Sequence, residues 1–509
     1  MKLEAINKNL IRVQEANSQE LEQLKLILTK KIENWRFHPL VKKKIWDGTI
    51  SKLQRNEFFS FGLWHYVKSM MNEYGFNDIE FQGVKDYFDF SIDFKEFEKF
   101  CLDLMEGHEI TPYDFQIETA FKFLRFKSAS AELATSSGKT LVAWLFYRKL
   151  YDINPDTQML MIVPRTDLVS QGEADFHDYN QGKISLKVQE IYSAAKQIRG
   201  KPNITIGTYQ SLVRKPKEFF ENFNAVICDE SHMAPAKSII EIFKKLGHTD
   251  YKIGVSGTLP KVTSIDYLTL MELTGPTINK VTVKDLEEKG RSTPVKIKVV
   301  RLNYLQKDIR ELLYQKYNLG PDERAECYQK EKELSIEHPK KIKLIAKVVS
   351  KTTKNSLVLF GRRVLGQALY KEIKEISKNK EVFYIDGSVD DATRKMIKQK
   401  MKTGKNRILV ASFQIFSTGI SIKNLHSIFL TDSYKSEIII RQTIGRGIRL
   451  LEGKKFVTII DFVDDYRYPY TNKSGEQRIW KNYLYRQSLD RIKIYEEQNF
   501  EYEIKSFKM

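Results

Sequence analysis

The stretch Glu132-Leu-Ala-Thr-Ser-Ser-Gly-Lys-Thr140 decides the fold. It closes a short apolar run and opens onto Leu141-Val-Ala-Trp-Leu-Phe146, which reads as a helix. A strand, a tight turn of small residues and a helix N-terminus together make an anion site. Backbone N–H groups and the positive end of the helix dipole converge there on one place. Thr135, Ser136, Ser137 and Gly138 supply the turn. Lys139 adds a point charge for β- and γ-phosphates, and Thr140 adds a hydroxyl for Mg²⁺. The first glycine of the full G-x-x-x-x-G-K-[ST] pattern is replaced by Leu133, and a bare Gly-Lys-Thr also occurs as a plain turn into a helix. The rest of the chain separates these readings.

Outward from the loop, β-branched runs at 131–135, 159–164, 204–208, 225–229 and 253–256 alternate with helical segments. Continuous rather than alternating apolar residues suit strands buried on both faces of a parallel sheet. Most of the runs end in a polar residue, Thr135, Thr208, Asp229 and Ser256, which places polar groups at the carboxyl ends of the strands, where such sheets bind ligands. Residues 285–345 are charged and read as mostly helical, broken at Gly320-Pro321. The alternation then restarts at 356–360, 382–386, 407–412, 427–431 and 456–461, which predicts a second α/β unit of similar size.

Residues 1–100 have a different texture. A helical pattern covers 18–34, and 63–74 reads as an amphipathic helix. Asp47-Gly48, between Lys44-Ile45-Trp46 and Thr49-Ile50, predicts a hairpin. A small α+β accessory domain follows from this pattern. Its Trp46 and Lys44, among Arg36, Lys42 and Lys43, match the mixture of rings and cations that stacks on bases and grips a phosphate backbone. A small domain's core beside a solvated lysine face has the same composition. The tail after 465 is aromatic and basic; it is expected to end in a helix, with packing favoured over nucleic-acid contact.

Length and charge are consistent with this division. A chain of 509 residues suggests about three domains, and its 41% hydrophobic and 12% aromatic content is enough to bury sizeable cores. No apolar run approaches the roughly 18 residues of a membrane span, and Met-Lys-Leu-Glu-Ala-Ile-Asn-Lys at the start lacks the apolar core of a signal peptide. Cys101, Cys228 and Cys327 are too scattered for a disulfide framework or a zinc site, so a reducing, cytoplasmic setting is expected, without a membrane partner. Lys plus Arg exceed Asp plus Glu by 84 to 65, a formal charge of +19 that favours a polyanionic partner. A genome that uses lysine as its default surface residue yields the same excess.

Three further groups carry chemistry. Asp229-Glu230-Ser231-His232 follows the apolar run Ala225-Val-Ile-Cys228. An acid at the end of a buried strand, in the same sheet as a phosphate loop, is placed to hold Mg²⁺, and its neighbour to orient and deprotonate water. Ser256-Gly257-Thr258 brings hydroxyls to the next strand end, positioned to couple nucleotide state to domain movement. Gln442-Thr-Ile-Gly-Arg446-Gly-Ile-Arg449 sets two arginines three residues apart, on one face if the segment is helical. A guanidinium pair of this kind stabilises transition-state charge on a γ-phosphate; a surface helix whose arginines meet acids is the plain alternative.

Taken in order, Gln116, the loop at 134–140, Val163-Pro-Arg-Thr-Asp-Leu-Val-Ser-Gln171, Gly207-Thr-Tyr-Gln-Ser-Leu212, the Asp-Glu-Ser-His, the Ser-Gly-Thr, Ser417-Thr-Gly-Ile-Ser421 and 442–449 resemble the successive motifs of superfamily 2 helicases. The Asp-Glu-x-His form, the run Ser417-Thr-Gly-Ile-Ser-Ile-Lys-Asn-Leu425 and the Arg-Phe-x-Pro and Trp-Asp-Gly elements near the N-terminus are most similar to the phage recombination and repair members. The resemblance implies an α/β fold of two tandem RecA-like P-loop domains with parallel sheets, plus the small N-terminal α+β domain. The expected division is 1–100 accessory and DNA-binding, 101–285 first RecA-like domain, 286–465 connector and second RecA-like domain, and 466–509 tail.

By the same resemblance, Gln116 reads the adenine edge, Thr135 to Thr140 bind ATP, Thr140 and Asp229 hold Mg²⁺, and Glu230 activates water. His232, Ser256, Thr258 and Gln442 relay nucleotide state, Gly419 approaches the nucleotide from the second domain, and Arg446 and Arg449 complete the catalytic set with Lys139. Arg165, Thr208 and Arg362 track nucleic-acid phosphates, since hydroxyls and cations position without reading sequence. The implied activity is ATP-driven unwinding or remodelling of branched, duplex and single-stranded DNA in recombination, repair and replication, with a single-strand-binding or recombination protein as partner. RNA or RNA–DNA hybrid substrates, and a nucleotide-gated clamp that does not unwind, remain the alternatives. The loop departs from many helicases in carrying Ser136-Ser137 where glycine is frequent, which removes no donor.

Overall fold

Seven parallel strands carry the phosphate loop in the computed structural model of the chain, ordered Thr277–Val281, Ser128–Leu133, Tyr251–Ser256, Ala225–Asp229, Met159–Val163, Ile204–Thr208 and Val188–Ile191. The structure describes residues 1–55, 57–83, 93–192, 200–305, 324–419, 422–433, 437–471 and 474–509. They divide into two units, Met1–Val281 and Thr282–Met509. The interior strand Met159–Val163, next to the central Ala225–Asp229, is buried along its whole length, as its uninterrupted apolar sequence requires. The helix Lys139–Ile153 that leaves the loop is buried from Leu141 to Leu150, with Trp144, Phe146 and Tyr147 wholly inside. Because Ser128–Leu133, Tyr251–Ser256 and Ala225–Asp229 are successive neighbours, the loop, Ser256 and Asp229 emerge at one edge of the sheet.

The N-terminal region is an α+β module built on a four-stranded sheet ordered Phe58–Ser60, Leu10–Gln14, Lys2–Asn7 and Glu80–Gln82. Its core of Leu3, Ile11, Leu24, Phe59 and Val67 runs without a break into Ile265, Leu268 and Met271 of the first parallel-sheet domain. Lys52 pairs with Glu272 at 2.6 Å, and the Ser60 hydroxyl donates to the Glu272 carbonyl at 2.8 Å. Gly62 permits this approach, since a Cβ there would lie 2.2 Å from the Met271 carbonyl oxygen.

Two local expectations are corrected here. The helical pattern over 18–34 forms a helix only at Ser18–Ile27, and Thr29–Lys31 then becomes a strand paired antiparallel with Thr49–Ser51. The hairpin expected around Asp47-Gly48 does not form between 44–46 and 49–50. Pro39 starts a short helix, Pro39–Lys42, where its missing N–H costs nothing. The Asp47 carboxylate accepts the Thr49 N–H at 3.0 Å and turns the chain toward a partner strand some way back in sequence. The helix expected at 63–74 is present as Trp64–Glu73.

The second unit holds another all-parallel seven-stranded sheet, ordered Val382–Ile385, Ile408–Ser412, Ser356–Phe360, Ser427–Leu430, Val457–Asp465, Val295–Asn303 and Glu501–Lys508. Val295–Asn303 lies in the stretch expected to be mostly helical. Its Val295, Ile297 and Val299 face inward and Lys296 and Lys298 outward, so lysines on the solvent side masked a period of two. Gly320-Pro321 falls outside the described residues. The tail also differs from expectation. After the helix Tyr483–Glu497 the chain does not stop but adds Glu501–Lys508, parallel to Val295–Asn303, as the edge strand of the sheet.

Buried ion pairs tie helices of this unit, the last one included, to the sheet strand Val457–Asp465. Arg491 meets Asp461 twice, Nε to Oδ2 at 2.9 Å and Nη2 to Oδ1 at 2.8 Å, and the Tyr495 hydroxyl donates to the same carboxylate at 2.9 Å. Lys341 sits on Asp464 at 2.9 Å, both out of solvent. Removing one member of such a pair strands the other. Arg491→Ala is therefore expected to lower the unfolding free energy by about 3–5 kcal/mol, read from urea denaturation.

Candidate nucleotide-binding site

The phosphate loop is shaped by two left-handed residues. Ser136 has φ +71° and Gly138 φ +80°. The Ala134 N–H donates to Val281 O at 3.0 Å and the Ser137 N–H to Ala134 O at 3.1 Å, which anchors the loop's first half to the neighbouring strand. Gly138 O accepts from Leu141 and Val142 at the start of helix Lys139–Ile153. Among the described residues, the N–H groups of Gly138, Lys139 and Thr140 keep no internal partner. Three free donors at the positive end of a helix are an anion cradle. Leu133 still belongs to the strand, so no left-handed residue is required where the sequence pattern has its first glycine.

Gln116 is almost wholly buried and holds the loop from below. Its Oε1 accepts the Tyr113 N–H at 2.8 Å and its Nε2 donates to Ser137 O at 2.6 Å. A Cβ on residue 138 would lie 2.4 Å from that Nε2, so glycine is needed there for space as well as for its φ. The amide expected to read adenine is thus seated on the loop backbone itself.

The acids stand opposite the loop. Lys139 Nζ lies 3.7 Å from Glu230 Oε1. Glu230, at φ +53°, begins the short helix Ser231–Met233. Its Oε2 accepts the Ser256 hydroxyl at 3.3 Å and lies 3.2 Å from His232 Nδ1, which is itself 2.9 Å from Ser256 Oγ. The Thr258 N–H donates to the same Ser256 oxygen at 3.3 Å. Burial alone would raise the Glu230 carboxyl, but the Lys139 ammonium and the bonds from His232 and Ser256 outweigh it and hold the group well below the usual range. Asp229 goes the other way: burial raises it, and Lys139 offsets that only in part. Gly257, between Ser256 and Thr258, lies beside the loop: a Cβ there would make only ordinary contact, 3.4 Å from Thr135 Oγ1 and 3.6 Å from Lys139 Nζ.

Asp229 Oδ1 is buried with no hydrogen-bond partner among the described residues. Such an atom calls for a cation. Among the described residues no group of three or more His, Cys, Asp or Glu gathers, so the protein's own donors to such a cation would be few: the Asp229 carboxylate and, from the loop, the Thr140 hydroxyl. That donor set fits Mg²⁺, which keeps waters and substrate phosphates as its other ligands.

The nucleic-acid candidates occupy separate places. Arg165 precedes the helix Thr166–Asn180 and pairs with Asp167 at 3.0 Å, and Thr208 ends the adjacent strand, buried, donating to Ser211 Oγ at 3.1 Å. Their strands are registered side by side, Thr208 opposite Val163. In the second unit Arg362 is exposed and donates to Gln329 Oε1 at 3.1 Å. In the N-terminal module Lys44 is exposed, whereas the Trp46 indole donates to Thr49 O at 2.9 Å and meets His38 edge-on. The most exposed apolar groups nearby are Phe37 and Ile45, 66% and 68% exposed, which sequence reasoning did not single out.

The second unit carries the remaining candidates. Gly419 ends the helix Phe413–Gly419, and Gln442 and Arg446 belong to the helix Glu437–Gly447. Arg449 lies beyond that helix, so the two arginines do not share a helical face as expected. The carbonyls of Ile448 and Arg449 accept from Thr293 N at 2.8 Å and Thr293 Oγ1 at 3.2 Å, which draws the chain off the helical path.

Comparison with known proteins agrees with this geometry. Residues 109–261 match the family described as type III restriction enzyme, res subunit, and residues 340–450 match the helicase conserved C-terminal domain. The chain is 31% identical to the ATP-dependent DNA helicase uvsW of Enterobacteria phage T4 over 485 residues, 93% of each chain. It is 24% identical to the DNA 3'-5' translocase XPB2 of Sulfurisphaera tokodaii over 66% of this chain and 78% of that one. The fold also resembles that of the DNA-bound type ISP restriction-modification enzyme LlaBIII, at 15% identity and TM-score 0.55 over 79% of this chain and 31% of that chain.

Gln116→Ala removes the bond to Ser137 O that seats the loop and the Tyr113 bond that orients the amide. The expected result is an ATP KM raised about tenfold, the worth of one to two neutral hydrogen bonds, with kcat less affected, measured by steady-state ATPase assay.

Proposed function

We propose, for a chain that belongs to the UvsW family of ATP-dependent DNA helicases, that ATP hydrolysis at the Lys139–Glu230 site drives remodelling of branched DNA such as forks, four-way junctions and R-loops, in the cytoplasm. The observation that carries the site is the 3.7 Å approach of Lys139 to a Glu230 already gripped by His232 and Ser256. The triphosphate takes the free N–H groups of Gly138, Lys139 and Thr140 and draws the Lys139 ammonium toward its β- and γ-oxygens. Glu230 loses its cation but keeps His232 and Ser256, so it stays oriented and ionised to accept a proton from the attacking water. Thr140 and Asp229 are the residues that would hold Mg²⁺, which supplies neutralisation of charge developing on the phosphate oxygens.

Arg446 and Arg449, with Gly419, act on the γ-phosphate from the second RecA-like domain, and Gln442, His232, Ser256 and Thr258 pass the nucleotide state on. Arg165, Thr208 and Arg362 follow the phosphate backbone, while Lys44 and the neighbourhood of Trp46 engage DNA from the accessory module. The formal charge of +19 supports a polyanionic track. A clamp that binds without turnover needs no water-activating acid, and Glu230 speaks against it. A single-strand-binding or recombination protein is the expected partner class.

An ATPase screen over single-stranded, duplex, forked, four-way, RNA–DNA hybrid and R-loop substrates tests the substrate reading. Forked and four-way DNA are expected to stimulate most, and equal stimulation by all would overturn it. Lys139→Ala is expected to abolish DNA-stimulated hydrolysis with the fold intact by circular dichroism. Arg446→Ala should lower kcat by about 10³-fold while nucleotide binding, followed by a fluorescent analogue, is retained.

A further inference from the structure

The end of the arginine-bearing helix is closed by a lysine side chain. After Ile448 N–H donates back to Ile444 O at 3.1 Å, the helix has no further turn to satisfy its carbonyls. Lys454 supplies the donors instead. Its Nζ donates to Gly447 O at 2.6 Å and to Arg449 O at 3.2 Å. The same ammonium reaches Lys423 O at 3.1 Å. Lys423 comes two residues after the Ser417-Thr-Gly-Ile-Ser421 stretch.

Lys454 is 7% exposed and pairs with no carboxylate among the described residues. Lysine is almost never buried unless paired. Here the compensation comes from three carbonyls, two of them at the negative end of a helix dipole. Burial lowers the ammonium to about 8, still largely charged at neutral pH. His426, close enough to feel Lys454 and Lys354, is pushed down to about 4 by burial and by those two cations.

We propose that Lys454 is a positioning residue for ATP hydrolysis, one ammonium that ties the segment leaving 417–421 to the end of the helix bearing Arg446 and to the Arg449 peptide. The inference rests on the reading of Arg446 and Arg449 as the groups that stabilise transition-state charge. Gly419 and the arginines lie on two different segments, and a shift of one against the other by an ångström is enough to cost a large factor in rate. A side chain that bonds both segments at once removes that freedom. Thr293, which holds the Ile448 and Arg449 carbonyls from the strand side, completes the clamp.

The test is Lys454→Met in the full chain, with DNA-stimulated ATPase as the readout and Arg446→Ala, Arg449→Ala and Lys454→Met/Arg449→Ala alongside. The expected result is a kcat lower by about 10- to 100-fold with an unchanged ATP KM, and a less than additive loss in the double variant, since part of the effect runs through Arg449. An unchanged kcat, a loss shared with KM, or full additivity in the double variant overturns the inference. Wild-type kcat in both arginine variants instead sinks the arginine reading, whatever Lys454→Met does. If Lys454→Met does not fold, Thr293→Val decides: it removes only the hydroxyl donor to Arg449 O and should lower kcat at constant KM, and no change in kcat would count against the clamp.

Discussion

One ammonium, that of Lys139, stabilises the buried acidic pair at the heart of the first unit. Asp229 and Glu230 leave a strand in the middle of an all-parallel sheet, where two adjacent carboxylates out of bulk water repel each other strongly. Lys139 offsets that repulsion, and His232 with Ser256 fixes Glu230 as the more acidic member. The strand order makes this possible, because the loop strand, the Ser256 strand and the Asp229 strand are consecutive neighbours. A different order would separate the lysine from the acids and leave them to protonate. The placement of Lys139 against Glu230 and the ionisation of the acids at the sheet's carboxyl edge are therefore the same interaction.

Around that edge the loop is constrained from both sides. Gln116 fixes it from the preceding helix through Ser137 O, and Val281 fixes it from the neighbouring strand through Ala134 N. The two left-handed residues between those anchors turn the donors of Gly138, Lys139 and Thr140 outward. Preorganisation of this kind means that the phosphates meet donors already in place. The N-terminal module is joined to the same unit by a continuous apolar core, so a displacement of the module is transmitted directly to the domain that carries the loop.

The second unit places its polar groups differently. Its buried charges cross-link helices to the sheet strand Val457–Asp465: Lys341 of the helix Pro339–Ser350 to Asp464, and Arg491 of the late helix Tyr483–Glu497 to Asp461. With Arg491 as its anchor the helix Tyr483–Glu497 becomes structural, and Glu501–Lys508 then forms the edge of the sheet. Arg441, midway along the arginine-bearing helix, pairs with Glu497 at 2.9 Å, and Lys454 closes the helix's C-terminal end. The helix that carries Arg446 is thus held at its middle and at its end by residues outside any recognisable motif.

The sequence by itself determined the features that repeat a local rule. Buried parallel strands show as uninterrupted apolar runs, strand ends as the polar residues Thr208, Asp229 and Ser256, and the phosphate loop as small residues before Lys139 and a helix. The order of these motifs was enough for the α/β class and the helicase family. Elements with a mixed or polar surface were not legible: Val295–Asn303 reads as charged because one face is solvated, and Glu501–Lys508 because it is an edge. The Asp47-Gly48 turn was visible, but its partner strand was not, since pairing with Thr29–Lys31 depends on how the intervening residues coil. Tertiary structure alone decided that Gln116 seats the loop, that Arg449 leaves the helix of Arg446, and that Lys454 serves three carbonyls. Each depends on atoms from distant segments meeting in a buried place, where a polar group must find a partner, and no local spacing in the chain records which partner that is.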